Sequence, residues 1–553
     1  MKEWTIMVYM AGDNNLSENL AFALEDLRTF SSSLPNSETD KINLLAFFDS
    51  NSLTAPTHYI DYSSGVAEKH EIEEDDIHHR TRNTPLPDEF IKDGNSASAY
   101  SIMNFVRWCI DIKERTATHY AIIFSGHSFG FHGTSFLRDE SSGGFTTLFK
   151  FRWALEQVNK LYLKKNIAIL GFDSCVMSML EIGSELNKVA KTIVASEGSL
   201  PNSGWSYAPM LKKIIFDFNT QIKTEIKAEK SLLDYFSSVD YIKDSAKNLV
   251  STFIDEHNKL VIGGRSIDIA AWDLEKVDLL AVEVNNLGVE FNKYLYLVDK
   301  VQDETLTNED IWAFQELKKI ILQSHYDTQT YMQEQCIDLK DFCKRLIIEL
   351  KFIENGANRA IFDNLKQICK NIIGLVDECV LKSGFSGDEY QFSNGISLYF
   401  PWSYLTFTLT NYRYRYLIFN RGENNYRDFE NLQGIGKDWY KFLYNYLTRV
   451  TLRLARKRKY DDGEAITALE NLSKDNPIWS KDNPIWSKDN PFWSKSNPTA
   501  SRSNPTASRS NPTASRGEMG EYLFYFSRFK NFELRWDITG FADEFKFDKD
   551  FED

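Results

Sequence analysis

The chain has 553 residues, with 64 Lys and Arg against 79 Asp and Glu, a formal charge of −15. That acidic balance argues against a general nucleic-acid binder, and 42% hydrophobic with 14% aromatic residues excludes a mostly disordered chain. At about 150 residues per domain the length corresponds to roughly three to four domain-sized pieces, enough for a large core.

The N-terminus, MKEWTIMVYMAGDNN, has one Lys followed at once by Glu and an apolar run that ends in a turn, so it does not read as a secretory signal. No stretch approaches the ~18 consecutive apolar residues of a membrane span. The six cysteines, at 109, 175, 336, 343, 369 and 379, never fall in a C-x-x-C spacing, which suits a reducing compartment. The expectation is a soluble, cytoplasmic protein without a membrane partner, its oligomeric state open.

Five apolar runs follow one another in the first 200 residues: TIMVYMAG (5–12), INLLAFFDS (42–50), HYAIIFSG (119–126), NIAILGFDS (166–174) and KTIVASEG (191–198). Their β-branched and aromatic content predicts strands, and the third and fourth, apolar on both faces, predict the centre of a parallel sheet. NLAFALEDLRTF, SAYSIMNFVRWCIDIKER, FKFRWALEQVNKLYL and VMSMLEIGSELNKVA carry apolar residues at three- and four-residue spacing and predict the intervening helices. The fold class is therefore α/β, a mainly parallel sheet flanked by helices. From about 216 the pattern turns helical, interrupted by strand-like IDIAAWDL (267–274) and GISLYFPW (395–402). Domain expectations are a sheet core over 1–215, a helical region with sheet-completing strands over 216–448, and a tail over 449–553.

The tail opens with six basic residues between Arg449 and Lys459. Six heptapeptides then fill 473–514, from SKDNPIW to SRSNPTA, and Asn-Pro in every copy excludes a coiled coil. Their composition cannot bury enough apolar surface to order itself.

In an open parallel sheet, ligands bind beyond the carboxyl ends of the strands. The residues there are Asp13-Asn14-Asn15, His127, Asp173-Ser174-Cys175 and Ser196-Glu197. A Cys and a His at neighbouring strand ends are what a thiol nucleophile and its proton donor require. Each also has a plain structural reading, as a small buried hydrophobe and a hydrogen-bonded core imidazole. The string GHSFG (126–130) matches the nucleophile elbow G-x-S-x-G and offers Ser128 as a rival nucleophile. The elbow needs a helix right after its Ser and a His late in the chain. FHGTSFLRDESSGG does not read as a helix, and His257 and His325 fall in helical surroundings.

Five blocks in order, WTIMVYMAGDNNL, IIFSGHSFGFHG, ILGFDSCVMSMLEIGSEL, VASEGSLPNSGWSYAPML and GISLYFP, resemble the clostripain family of cysteine peptidases in the caspase-like clan, over about 1–448. The resemblance implies a caspase-like sheet and an endopeptidase with Cys175 as nucleophile and His127 as acid/base. It implies protein or peptide substrates cut after Arg or Lys, with Asp173, Ser196 and Trp205 in the substrate site. A free thiol is only a few per cent thiolate at neutral pH, and a helix starting right after Cys175 would raise that fraction. The amides of Ser128 and Cys175 are the candidate oxyanion donors. For Asp173 the alternative is a cap on that following helix.

The sequence departs from the family pattern at Ser128, where Gly is usual, and at Ser203, where a second pocket acid is expected. Relatives cut themselves at a basic residue between the His and the Cys, an interval holding Arg138, Lys150 and Arg152. Some relatives need calcium. No EF-hand loop is present, and EIEEDDIHHR (71–80) reads as a solvated loop, so no metal ligand is assigned and calcium stays open. The chemistry itself calls for no cofactor. Two other readings stand: an inactive binding or scaffold protein on the same fold, and a serine hydrolase using Ser128.

Overall fold

Side chains alternate along a strand, so a strand buried on both faces must be apolar at every position. Strand β1 (Lys2–Gly12) meets this condition over residues 6–11: Ile6, Val8 and Met10 face one layer, Met7, Tyr9 and Ala11 the other, and all are buried. Strands β2 (Ile42–Ser50), β3 (His58–Asp61), β4 (Glu68–Glu71), β5 (Ala117–Ser125), β6 (Ile167–Asp173), β7 (Ala190–Ala195), β8 (Ile267–Asp273), β9 (Thr330–Tyr331), β10 (Cys336–Asp338), β11 (Val380–Ser386) and β12 (Ser397–Tyr399) follow. This computed structural model describes residues 2–35, 41–51, 57–64, 67–71, 95–111, 115–130, 136–216, 235, 237–259, 266–295, 305, 307–331, 335–352, 361–401 and 437–450. The heptapeptide repeats, residues 72–80 with His78-His79, and the basic run beyond 450 lie outside them.

Nine strands form one sheet in the order β11-β8-β7-β6-β5-β1-β2-β3-β4. The five middle strands, β7-β6-β5-β1-β2, are parallel, and two antiparallel strands extend each side. All five predicted runs are strands, with β5 and β6 in the interior. The hairpin β3-β4 escaped the sequence reading because its strands are only four residues long. The late strand β12 is three residues long and joins β10 and β9 in a separate sheet, whereas β8 and β11 extend the main one.

One face of the sheet is covered by helices Ser17–Ser32, Tyr207–Phe216 and Val239–Asn258, whose Leu20, Leu27, Phe30, Met210, Tyr241 and Phe253 pack on it. The other carries helices Ala99–Asp111, Leu148–Gln157, Leu180–Leu186 and Val277–Leu295. No helix among the described residues is long and apolar enough to cross a membrane. Helix Leu180–Leu186 approaches β8 so closely that a Cβ on Gly183 would lie 2.2 Å from the Trp272 ring. Glycine is required there by contact rather than by backbone torsion.

Where the two sheets meet, three carboxyls are buried together. Glu197 accepts from Gly395 N–H at 2.7 Å, Asp268 from Glu197 N–H and Gly198 N–H at 2.8 Å each, and Asp338 from Asp341 N–H at 2.7 Å and Asn394 Nδ2 at 3.0 Å. Burial pushes Asp338 up to about 7 and Asp268 up to about 6. Glu197 is also raised well above the usual carboxylate range, from burial first and then from Asp338 and Asp268.

Two outcomes follow from this packing. Gly183→Ala should destabilise the protein by about 1–3 kcal/mol through overpacking, and Trp272→Phe in the same chain should recover part of that loss, read from urea midpoints; additive losses would refute the contact. Asp338 holds a proton in the folded state that the unfolded chain releases above about pH 4. Its contribution is therefore full below that pH and lost as pH rises through about 7. The stability of wild type minus that of Asp338→Asn should fall between about pH 4 and 8, and a flat or rising difference would contradict the buried protonated carboxyl.

Candidate active site

The chain enters the sheet at β1, runs outward to β2, then returns to the other side of β1 with β5, β6 and β7. The crevice at the β1/β5 switch point, at the carboxyl ends of the strands, is where open α/β sheets bind ligands. Asn15 follows β1 and His127 follows β5, and across the crevice the His127 Nε2 is hydrogen-bonded to the Asn15 side-chain oxygen. An imidazole donating from Nε2 carries its lone pair on Nδ1. Between β5 and His127 the chain turns at Gly126, φ 150°, where a Cβ would meet the Ala11 carbonyl at 3.2 Å. The His127 carbonyl accepts from Leu137 N–H at 3.2 Å, fixing the main chain of the imidazole.

Strands β5 and β6 pair in parallel with Ser125 opposite Asp173. His127 and Cys175 each lie two residues beyond that pair, so the register brings them to matching places past one sheet edge. Cys175 is half-buried and packs against the hydrophobic layers on both faces of the sheet. The turn after it is strained: Val176 has φ 57°, a left-handed conformation that disfavours β-branched residues by about 1–3 kcal/mol. Residues 196–200 hold that turn. Val176 N–H donates to Gly198 O at 3.0 Å, Ser178 N–H to Ser196 O at 2.9 Å, and Leu200 N–H to Cys175 Sγ at 3.3 Å. The block GISLYFP is fastened beside it, Ser178 Oγ donating to Gly395 O at 2.7 Å and Ser397 N–H to Ser178 O at 2.9 Å.

The helix expected directly after Cys175 is not there. Residues 176–179 are nonhelical because they are tied to the 196–198 and 395–397 segments instead, and the helix begins only at Leu180. A helix N-terminus consequently does not reach the thiol, and Asp173 does not cap the helix that begins at Leu180. Asp173 ends β6, buried, with Oδ2 accepting from Ser125 Oγ at 2.8 Å and Tyr207 Oη at 2.9 Å. Burial raises its pKa, against which the two hydroxyls and, last, the Trp205 N–H act. Its Oδ1 is buried without a well-formed hydrogen bond among the described residues. The turn Asn202-Ser203-Gly204-Trp205 wraps over the carboxylate: Gly204 has φ 62°, and a Cβ there would come within 2.6 Å of Oδ2. Ser203 is exposed on that turn.

Ser196 and Trp205 are buried, so both shape the site from behind. Trp205 packs on Gly171 of β6. Ser128 is also buried, its hydroxyl directed at Met177 Sδ at 2.8 Å and accepting from Gly130 N–H at 3.1 Å. Its hydroxyl is thus turned toward Met177, and residues 127–129 are not helical, while 131–135, where the helix of an elbow would run, lie outside the described residues. His257 and His325 lie in helices, as expected.

Of the three basic residues between His127 and Cys175, Lys150 and Arg152 are within helix Leu148–Gln157, and Arg152 pairs with Glu156 and Glu185 at 3.6 Å each. Arg138 is outside a helix, facing Glu140 at 3.8 Å, with its carbonyl accepting from Asn14 Nδ2 at 2.9 Å. Nearby, the buried carboxylates of Asp13, Asp49 and Asp139 converge within 4.8 Å. Protein donors already serve them: Ser141 N–H on Asp13, Thr57 Oγ1 and Ser96 N–H on Asp49, and Ser96 N–H and Ser142 N–H on Asp139. Sequence reasoning flagged Asp13 and Asn15 by their place after β1. It missed Ser125, Tyr207 and Asp268, whose partners are set by register and by contacts distant in sequence.

The model of the Clostripain family matches residues 8–442. Clostripain of Hathewaya histolytica is 21% identical over 427 residues, 72% of this chain and 74% of that protein. Among solved structures, a secreted C11 cysteine protease from Bacteroides thetaiotaomicron in complex with an irreversible peptide inhibitor is similar at TM-score 0.46 and 13% identity, over 80% of this chain and 98% of that one. An inactive zymogen C11 protease from Parabacteroides distasonis has TM-score 0.46 and 15% identity, over 75% and 96%. With the family match covering most of its length, the chain belongs to the clostripain family and is a cysteine-type endopeptidase.

Proposed function

We propose that this peptidase cuts after Arg or Lys with Cys175 as nucleophile and His127 as acid/base, a reading carried by the Ser125–Asp173 register that sets both residues past one sheet edge. The Cys175 thiolate adds to the scissile carbonyl, forming an S–C bond and an oxyanion that the amides of Ser128 and Cys175 receive. The adduct collapses, the C–N bond breaks, and the His127 imidazolium gives its proton to the departing amine. A water, deprotonated by His127, then attacks the thioester and returns the thiol. Thiol and imidazole supply the nucleophile and the acid of bond cleavage.

Basic selectivity is assigned to Asp173. Its buried, unsatisfied Oδ1 favours a substrate group that brings both hydrogen-bond donors and positive charge. An arriving guanidinium or ammonium would also counter the burial that raises the acid's pKa. With Ser203 in place of a second acid, one carboxylate carries the charge recognition. Self-cleavage is assigned to Arg138, because a scissile bond must enter the site extended and helical Lys150 and Arg152 would first have to unwind.

Cys175→Ala should abolish cleavage of Arg and Lys peptides, with and without calcium, while Ser128→Ala retains it, as measured with fluorogenic substrates. Retention in the first and loss in the second would transfer the role to Ser128. Asp173→Asn should lower kcat/KM for Arg substrates by about 100-fold, ~2.7 kcal/mol, and change neutral ones much less. Equal loss on both would assign Asp173 to folding alone.

A further inference from the structure

The nucleophile turn is gripped by residues 196–200, and that segment is itself held by one side chain. Asp268, on β8 and 1% exposed, accepts Glu197 N–H on Oδ2 and Gly198 N–H on Oδ1, both at 2.8 Å. The peptide so fixed presents Ser196 O and Gly198 O to the amides of Ser178 and Val176, and leads to the Leu200 N–H that donates to Cys175 Sγ at 3.3 Å. Asp268 thus touches neither the thiol nor the expected path of a substrate, yet it orders the segment that contacts the sulfur.

We propose that Asp268 is a positioning residue for Cys175, acting through residues 196–200 to aim the Leu200 N–H at the sulfur. This rests on Cys175 being the nucleophile. A donor to sulfur favours the thiolate, the reactive form, and it fills the role that a helix N-terminus would otherwise have, since the helix here begins four residues too late. The two-oxygen acceptor matters. A carboxylate takes both N–H groups, whereas an amide offers one oxygen and sets its NH2 against the second donor. The groups around Asp268 do not substitute for it: the Glu197 carboxyl bonds Gly395 N–H, the Tyr390 hydroxyl receives Ser199 N–H, and Asp338 and Tyr331 bond to Asn394 and Ser393.

The test compares full-length wild type, Asp268→Asn and Asp338→Asn. The latter alters the same buried cluster without touching the 196–198 amides. Iodoacetamide labelling of Cys175, followed by peptide mass across pH, reads the thiol directly and needs no substrate. Asp268→Asn should move the midpoint of that profile up by about one pH unit, a roughly tenfold loss of labelling rate at neutral pH, and lower kcat at least tenfold with a smaller change in KM. Asp338→Asn should leave the profile in place. Superimposed wild-type and Asp268→Asn profiles, or an equal shift in Asp338→Asn, would overturn the proposal. If Asp268→Asn does not fold, Asp268→Glu decides. It keeps two acceptor oxygens one methylene out of place, so a partial upward shift supports positioning and an unshifted profile refutes it. Cleavage retained in Cys175→Ala would refute the nucleophile assignment, a result distinct from either labelling outcome.

Discussion

The parallel pairing of β5 with β6 is the constraint on which the site depends. Opposing Ser125 to Asp173 determines which residues leave the sheet at the same level, and a slip of one residue would turn every side chain of β6 to the other face. The strands are buried on both faces, and the Ser125 hydroxyl bonded to the Asp173 carboxylate is the polar pair that fits only this register. It also sets the chemistry beneath the edge. Ser125, the partner of Asp173 in the ladder, is the residue whose hydroxyl holds the Asp173 carboxylate. Strand pairing and pocket electrostatics are therefore one arrangement.

Around that edge the structure keeps several unfavourable features together. Val176 is left-handed, Asp173 has an unbonded oxygen, and three further carboxyls are buried where the two sheets meet. Each would be costly alone, and they persist because neighbouring hydrogen bonds over-determine them. Val176 is held in its conformation by Gly198 O, Gly198 is held by Asp268, and the adjoining Glu197 side chain is tied to Gly395. The same links explain why the block GISLYFP belongs to the site although it lies more than 200 residues after Cys175: its Gly395 and Ser397 are bonded to Ser178.

Much of this was legible in the sequence wherever one physical signal sufficed. Short runs rich in β-branched and aromatic residues, apolar on both faces in the third and fourth, made β1, β2, β5, β6 and β7 readable, and with them the strand ends carrying His127 and Cys175. Helix Leu180–Leu186 was readable but its start was not. VMSM has a helical apolar pattern, and only the competing bonds from Ser196, Gly198 and Ser397 keep residues 176–179 out of the helix. The same limit hid Ser125 and Tyr207, ordinary residues locally that become ligands of Asp173 only once the strands are in register. Ser128 shows the converse, a motif match that gives no hint that the hydroxyl is hydrogen-bonded to Met177 and Gly130.

The departure at Ser203 takes its meaning from these contacts. An acid on the exposed 202–205 turn would lie in high dielectric, where attraction to a substrate cation is weak and screened. Asp173 lies below that turn, desolvated and held by two hydroxyls, where each unit of charge counts for more. Under the proposed assignment of Asp173 to a basic side chain, Ser at 203 removes the weaker of two attractions and leaves the stronger. Gly204 is then the residue the turn can least exchange, because its left-handed backbone and missing Cβ let Trp205 and the carboxylate pack together. A site of this construction depends more on the shape of its turn than on the number of acids around it.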